Sequence, residues 1–285
     1  MKKKQRILVI VVSIITLFVI LFSVYLYYEN NTLQVSQYEV ISDHLPKEFN
    51  DFKILQITDF HNTKSHKLTN DLVTEVNKQK PNIVVLTGDL IDANRTDINV
   101  ALDFVKAIKD FAPIYYVSGN HEASIKNYTD LKTGLVQAGV VILDNQTKII
   151  EFSGAKINLL GIDDPKMMPN TVVSNNEIIR NEINNLEYEK SNFSLLLSHR
   201  PEVFDIYVEN KIDLVLTGHA HGGQIRLPWI GGLYAPDQGL FPKYTSGTFY
   251  KDSTTMVVSR GIGNSSFPFR VQNRPELVVV ILKSN

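Results

Sequence analysis

Three short apolar runs, each ending in a cluster of polar side chains, restrict this chain more than any other feature. Residues 53–58 end on Asp59-Phe60-His61, residues 83–87 on Gly88-Asp89, and residues 114–118 on Gly119-Asn120-His121-Glu122. Aliphatic and β-branched runs of this length, bounded by turn residues, read as strands buried on both faces. Between them, Leu68, Leu72, Val73 and Val76, then Val100, Ala101, Phe104, Val105 and Ile108, recur at helical spacing, and Pro81 and Pro113 close the two helices. Strand, polar cluster, helix, strand is the pattern of βαβ units on a parallel sheet, so the fold class is α/β.

The second half is less regular. A helix around 128–138 leads to 140–143 and to a strand pair at 148–152 and 156–161. Ser174 and Glu177 form a capping box ahead of Ile178, Ile179, Ile183 and Leu186. Residues 192–197 read as another buried strand, ending on Ser198-His199-Arg200, with Pro201 placed to begin a helix. Residues 212–216 form the next, ending on Thr217-Gly218-His219-Ala220-His221, and late strands follow near 254–259 and 276–282.

Five strands thus end in potential ligands, and five of the seven histidines sit there; His44 and His66 do not. In open α/β sheets, ligands bind beyond the carboxyl ends of the strands. Strand alternation puts His219 and His221 on one face. Alone, that pair also fits a turn with two surface histidines; with carboxylates and imidazoles at four other strand ends it reads as a metal site. The chain has no cysteine, so any metal must be held by His, Asp, Glu or Asn, and disulfides and thiol nucleophiles are excluded. A formal net charge of -1 gives no basic footprint for nucleic acid.

The N-terminus carries Lys2, Lys3, Lys4 and Arg6, and the next 22 residues, 7–28, have no charge. As a helix they span about 33 Å, enough to cross a bilayer core. Tyr25, Tyr27 and Tyr28 suit an interfacial belt. A cleaved signal peptide would need small residues before the cut, and the exit VYLYYENN offers none, so an uncleaved signal anchor is expected. Lysines before the span and Glu29 after it place the N-terminus inside and the rest outside the cytoplasmic membrane. The expected division is an anchor over 1–28, a polar link over 29–32 and one domain over 33–285.

The ordered blocks DxH, GD, GNHE, a lone His and GHxH resemble the calcineurin-like metallophosphoesterase superfamily, and the tail GHAHGGQIRLPWIGGLYAPDQGLFPKY is similar to its bacterial membrane-associated subgroup. The resemblance implies a four-layer α/β/β/α sandwich and two divalent ions. One would take Asp59, His61 and His221, the other Asn120, His199 and His219, with Asp89 bridging. It also implies a phosphoester substrate attacked by metal-activated hydroxide, with His121 as general acid or as hydrogen-bond donor to the leaving oxygen. Ligands without sulfur suit manganese, zinc or iron. Asp92 occupies the position where purple acid phosphatases carry a tyrosine, so no tyrosinate–iron chromophore is expected.

The remaining expectations concern substrate. Glu122 either orients His121 or, the favoured reading, is a surface carboxylate. Arg200, Arg226, Arg260 and Arg270 are candidate phosphate contacts, although a solvated surface arginine is the favoured reading of each taken singly. Trp229, Ile230, Leu233, Tyr234, Leu240, Phe241 and the Phe267-Pro268-Phe269 run make the late loops apolar. They are expected to pack over the sheet edge, the other reading being a membrane-proximal wall for a lipid-linked phosphoester. A non-catalytic phosphate- or lipid-binding sensor on the same scaffold is the alternative to an enzyme. The sequence does not address oligomeric state.

Overall fold

Two six-stranded sheets stack face to face in the computed structural model, which describes residues 3–168, 172–264 and 267–285. Met1 and Lys2 of the basic N-terminus lie outside those residues. The long helix α1 (Lys3–Asn31) comes first. The first sheet contains β1 (Gln34–Ser42), β2 (Lys53–Ile57), β3 (Ile83–Thr87), β4 (Ile114–Val117) and the short β5 (Val141–Ile142). The second begins with β6 (Gln146–Phe152), β7 (Ala155–Gly161), β8 (Ser194–Leu197) and β9 (Leu214–Thr217). Two small hairpins follow, β10 (Arg226–Leu227) with β11 (Gly231–Gly232) and β12 (Tyr234–Ala235) with β13 (Gly239–Leu240). Then β14 (Gly247–Lys251) and β15 (Thr254–Val258) complete the second sheet, and β16 (Glu276–Ser284) returns to the first. The sheet orders are β1-β16-β2-β3-β4-β5 and β14-β15-β9-β8-β7-β6.

β2 to β5 run parallel, as do β7, β8, β9 and β15, so their carboxyl ends share one edge in each sheet. The antiparallel partners β16, β6 and β14 make both sheets mixed. Strand alternation sorts the core. Ile54, Val85, Val117, Leu195, Leu197 and Leu216 fill the space between the sheets. Leu55, Ile57, Val84 and Leu86 face α2 (His66–Gln79), α3 (Ile98–Ile108) and α4 (Tyr128–Gln137). Leu160, Leu196 and Val215 face α5 (Asn175–Asn185) and α6 (Phe204–Glu209). The result is helices, sheet, sheet, helices, the four-layer arrangement expected. Gln56 sits among the apolar residues between the sheets because its amide has two partners there. Its Nε2 donates to Thr87 Oγ1 in one sheet and to Thr217 O in the other, each at 2.9 Å, and so pins the sheets together under the shared edge.

Three local expectations change. Pro201 opens a turn, and α6 begins only at Phe204. The exposed α1 stays helical through Asn31, three residues past Tyr28, because its last turn has partners on the domain. The buried Glu29 accepts the Asn273 N–H at 2.8 Å. Asn30 Oδ1 accepts from Arg270 N and Asn264 Nδ2, and Asn31 Oδ1 from Ser65 Oγ. The expected polar link over 29–32 thus contains the end of α1, which these bonds hold to the domain. Most of the large apolar side chains of the late loops do not pack over the sheet edge either: Trp229, Ile230, Tyr234, Leu240, Phe241, Phe267 and Phe269 are exposed.

Candidate metal centre

Each ligand-bearing strand stops where its sheet meets the other, and tight backbone turns swing the side chains inward. Asp59, His61, Asp89, His219 and His221 all have left-handed backbone, with φ between 46° and 65°. Non-glycine residues rarely adopt that region, and such strain gathers at functional sites. The approach of the turns leaves no room for larger neighbours. A Cβ on Gly119 would collide with the Asp89 carboxylate, and one on Gly218 with Thr58 and Asp59.

Four overlapping groups of ligand atoms among the described residues each lie within 4.8 Å of one another: Asp59, His61 and His221; His61, Asp89 and His121; Asp89, His199 and His219; and Glu202, His219 and Asp237. Asp89 Oδ2 is central, 3.2 Å from His199 Nε2 and 3.6 Å from His61 Nε2. Asp59 Oδ1 lies 3.2 Å from His221 Nε2, and His61 Nε2 faces His221 Nε2 at 3.2 Å. His199 Nε2 likewise faces His219 Nδ1 at 3.2 Å. Two buried acceptors, Asp59 Oδ1 and Asn120 Oδ1, have no hydrogen-bond partner among the described residues. Converging imidazole nitrogens beside unpartnered buried oxygens are what a divalent cation fits, since each offers a lone pair that the protein leaves unused.

Outer contacts fix the imidazoles. His199 Nδ1 lies 2.8 Å from Thr87 O, so it carries the proton and leaves Nε2 as the free lone pair. His219 Nε2 lies 3.0 Å from Asp237 Oδ2 and 3.1 Å from Arg200 Nη1; in the tautomer that donates to the carboxylate, Nδ1 is the free lone pair. Arg200 also donates to Asp237 and is held by Asp164 at 2.5 Å, so the carboxylate is shared between a guanidinium and the imidazole. His61 Nδ1 and His221 Nδ1 have no such partner. Ala93 N–H donates to His121 Nδ1 at 2.9 Å, so neutral His121 carries its proton on Nε2, 4.0 Å from Asp89 Oδ2. Burial pulls the His121 pKa down and favours that neutral form. Burial opposes ionisation of Asp59 and Asp89, yet the surrounding imidazoles hold both below the usual carboxylate range.

Glu122 is fully buried, not a surface carboxylate, and does not orient His121. It accepts the backbone N–H groups of Asp89, Leu90, Ile91 and Gly119 at 2.7–3.4 Å, clamping the turn that presents Asp89. Burial and the Asp89 charge push its pKa up to about 7, against hydrogen bonds that favour the ionised form.

A cleft of about 420 Å³ opens over the centre, lined among others by Asp89, Asn120, His121, Lys166, His219 and Asp237. None of the four arginines lines it. Arg200 and Arg270 are almost fully buried, Arg260 pairs with Glu276 at 3.1 Å, and Arg226 donates to Gly222 O and Thr245 Oγ1. Arg270 donates to the carbonyls of Arg260 and Gly263, which saturates a charge that would otherwise be costly to bury. Lys166, which lines the cleft, and Asp237 escaped the sequence reading. Neither carries a motif, and Asp237 reaches His219 only through the fold of the late hairpins.

A two-sheet sandwich with carboxylates and imidazoles gathered at the strand ends defines a metal-dependent hydrolase. The family model for calcineurin-like phosphoesterases matches residues 52–223, and the chain belongs to that family. It is 28% identical to the uncharacterised metallophosphoesterase YkuE of Bacillus subtilis, over 90% of this chain and 88% of that one. It is 26% identical to phosphodiesterase YaeI of Escherichia coli, over 81% and 82%. The crystal structure of TT1561 of Thermus thermophilus shares the fold with a TM-score of 0.52, at 12% identity over 74% of this chain and 89% of that one. The protein is a metal-dependent phosphoesterase.

Proposed function

We propose that this protein is a membrane-anchored phosphoesterase that holds two divalent ions. It hydrolyses a phosphodiester, phosphomonoester or pyrophosphate bond in a cell-envelope or lipid-linked substrate, outside the cytoplasmic membrane. The observation that carries the reading is the convergence of ligands from five strand ends on Asp89 Oδ2, with Asp59 Oδ1 and Asn120 Oδ1 left unpartnered. Asp59, His61 and His221 would hold one ion and Asn120, His199 and His219 the other, with Asp89 shared between them. Manganese, zinc and iron all suit these ligands. Bound there, the ions supply charge neutralisation at phosphorus and an activated water near neutral pH. His121 presents its Nε2–H to the leaving oxygen, and Lys166 meets the phosphate at the cleft mouth.

Residues 1–28 form the anchor, 29–32 its docked junction, and 33–285 the catalytic domain. Support for the anchor is a helix long and apolar enough to cross a membrane, with none of its most apolar stretch buried against the domain. Support for a lipid-linked substrate is a second cavity of about 400 Å³ at the end of that helix, lined by Asn30 and Asn31 together with His61 and Asn62. The alternative, a non-catalytic phosphate or lipid sensor, is disfavoured because no ligand of the set is missing.

The test uses full-length protein in detergent, stripped of metal and then supplied with manganese, zinc or iron. Chromogenic diester and monoester are assayed beside Asp89→Asn. Metal-dependent turnover that Asp89→Asn abolishes is expected. No turnover with any metal, or equal turnover in the variant, would leave the sensor reading. Phospholipids and phosphate-containing wall polymers then identify the substrate class.

A further inference from the structure

Six large apolar side chains stand exposed on three late loops: Trp229 and Ile230, Leu240 and Phe241, Phe267 and Phe269. Trp229 is fully exposed. Scattered apolar residues on a surface need no explanation, but these loops are joined by backbone hydrogen bonds. Phe241 N–H donates to Leu233 O, Leu233 N–H to Ile225 O, and Arg226 N–H to Val271 O. Gln272 N–H donates to Tyr25 Oη of α1, and Arg270 N–H to Asn30 Oδ1. One ladder thus runs from the exposed aromatics to the end of the membrane helix.

Backbone conformation adds an independent sign. Trp229 and Phe241 have φ of 63° and 53°, a region that bulky residues avoid. Both side chains are mostly exposed, so packing among the described residues does little to offset that strain. Strain kept on exposed aromatics points to a contact outside the chain. Toward its domain end α1 presents Tyr27 and Tyr28, and the Arg274 guanidinium lies 5.9 Å from the Tyr28 ring. Tryptophan, tyrosine and a cation beside the end of a span match the chemistry of a bilayer interface.

We propose that these three loops form a second membrane contact, seating the phosphoesterase domain on the lipid surface beside its own helix. This rests on the proposal that α1 spans the bilayer. The domain is then held at two places rather than swinging on a tether, and the cavity beside Asn30 and His61 faces lipid headgroups.

Trp229 is the only tryptophan in the chain, so its fluorescence reports the contact directly. Full-length protein is reconstituted into phospholipid vesicles, with and without brominated acyl chains, and flotation confirms insertion. Blue-shifted emission, shielded from acrylamide and quenched about twofold by brominated lipid, is expected. Trp229→Tyr combined with Phe267→Trp should move the same response to the third loop. Water-like emission in floated protein, open to acrylamide and blind to brominated lipid, would overturn the seating while the spanning helix survived. Emission that follows protein density instead would mean a second copy covers the patch, which overturns it too. Protein that fails to float would overturn both readings. Catalysis enters none of these measurements, so they stand or fall apart from the phosphoesterase assay.

Discussion

Glu29, in the last turn of α1, accepts the backbone N–H of Asn273 at 2.8 Å. The Asn273 side chain in turn donates to the carbonyl of His221 at 2.8 Å and to that of Gln224 at 3.0 Å. Helix α1 therefore ends two hydrogen bonds from a candidate ligand whose ring Nδ1 has no partner among the described residues. Asn273→Ala removes both side-chain bonds and leaves two carbonyls short of a donor. A loss of about 2 kcal/mol of stability follows from hydrogen bonds worth about 1 kcal/mol each. Affinity for the ion at Asp59, His61 and His221 should fall roughly tenfold, with the other ion little changed, as metal titration of the full chain would show. Equal weakening of both ions would make Asn273 a general structural residue.

Asp237 tests the other ion. It orients His219, and the hydrogen bond from His219, opposed by burial and aided by Arg200, holds its carboxyl below the usual range. Asp237→Asn keeps the shape but weakens the acceptor. A roughly 10–100-fold loss of affinity is expected for the ion at Asn120, His199 and His219. Metal counts on His219→Ala and His221→Ala give the complementary check. If both variants lose the same single ion, the assignment of one histidine to each ion is wrong.

The elements that position this site were legible because their periods are local. β2, β3 and β4 and the apolar faces of α2 and α3 follow from spacing within a dozen residues, and ligands at strand ends follow from them. What could not be read depends on partners far along the chain. Glu122 looks like a surface acid until the turns of Gly88 and Gly119 close on it with four N–H groups. Arg200, Arg260 and Arg270 read as surface arginines or phosphate contacts until Asp164, Glu276 and the carbonyls of Arg260 and Gly263 are seen to claim them. The left-handed backbone at five candidate ligands has no local signal either. These are Asp and His, not Gly, and tertiary contacts must hold them there.

His121 carries a prediction about chemistry rather than binding. With Nδ1 occupied by the Ala93 N–H, its only donor faces the centre. His121→Gln should lower kcat on a diester by about 10²–10⁴, with metal content unchanged. The loss should shrink for substrates whose leaving group, such as nitrophenolate, needs no proton. A uniform loss across leaving groups, or loss of bound metal, would remove His121 from the donor role.

A last prediction concerns stability and pH, at a distance from the metals. Glu182 on α5 is buried beneath Asn145, whose Nδ2 donates to it at 3.2 Å. Burial pushes its pKa up to about 7, with Asp163 and Asp164 adding to the rise. In the unfolded chain the same carboxyl titrates near 4.3. Between those values the folded state binds more protons than the unfolded one, so folding stability falls as pH rises through that window. The full effect is at most on the order of 3 kcal/mol, since each tenfold difference in proton affinity between the two states is worth about 1.4 kcal/mol and solvent screening reduces it. Glu182→Gln removes the titration and keeps the hydrogen-bond acceptor for Asn145. The melting temperature of the variant, taken from pH 5 to 8 in detergent, should therefore decline less than that of the parent chain and exceed it most at pH 8. Parallel curves for the two proteins would show that Glu182 is ionised in both folded and unfolded states and contributes no pH dependence.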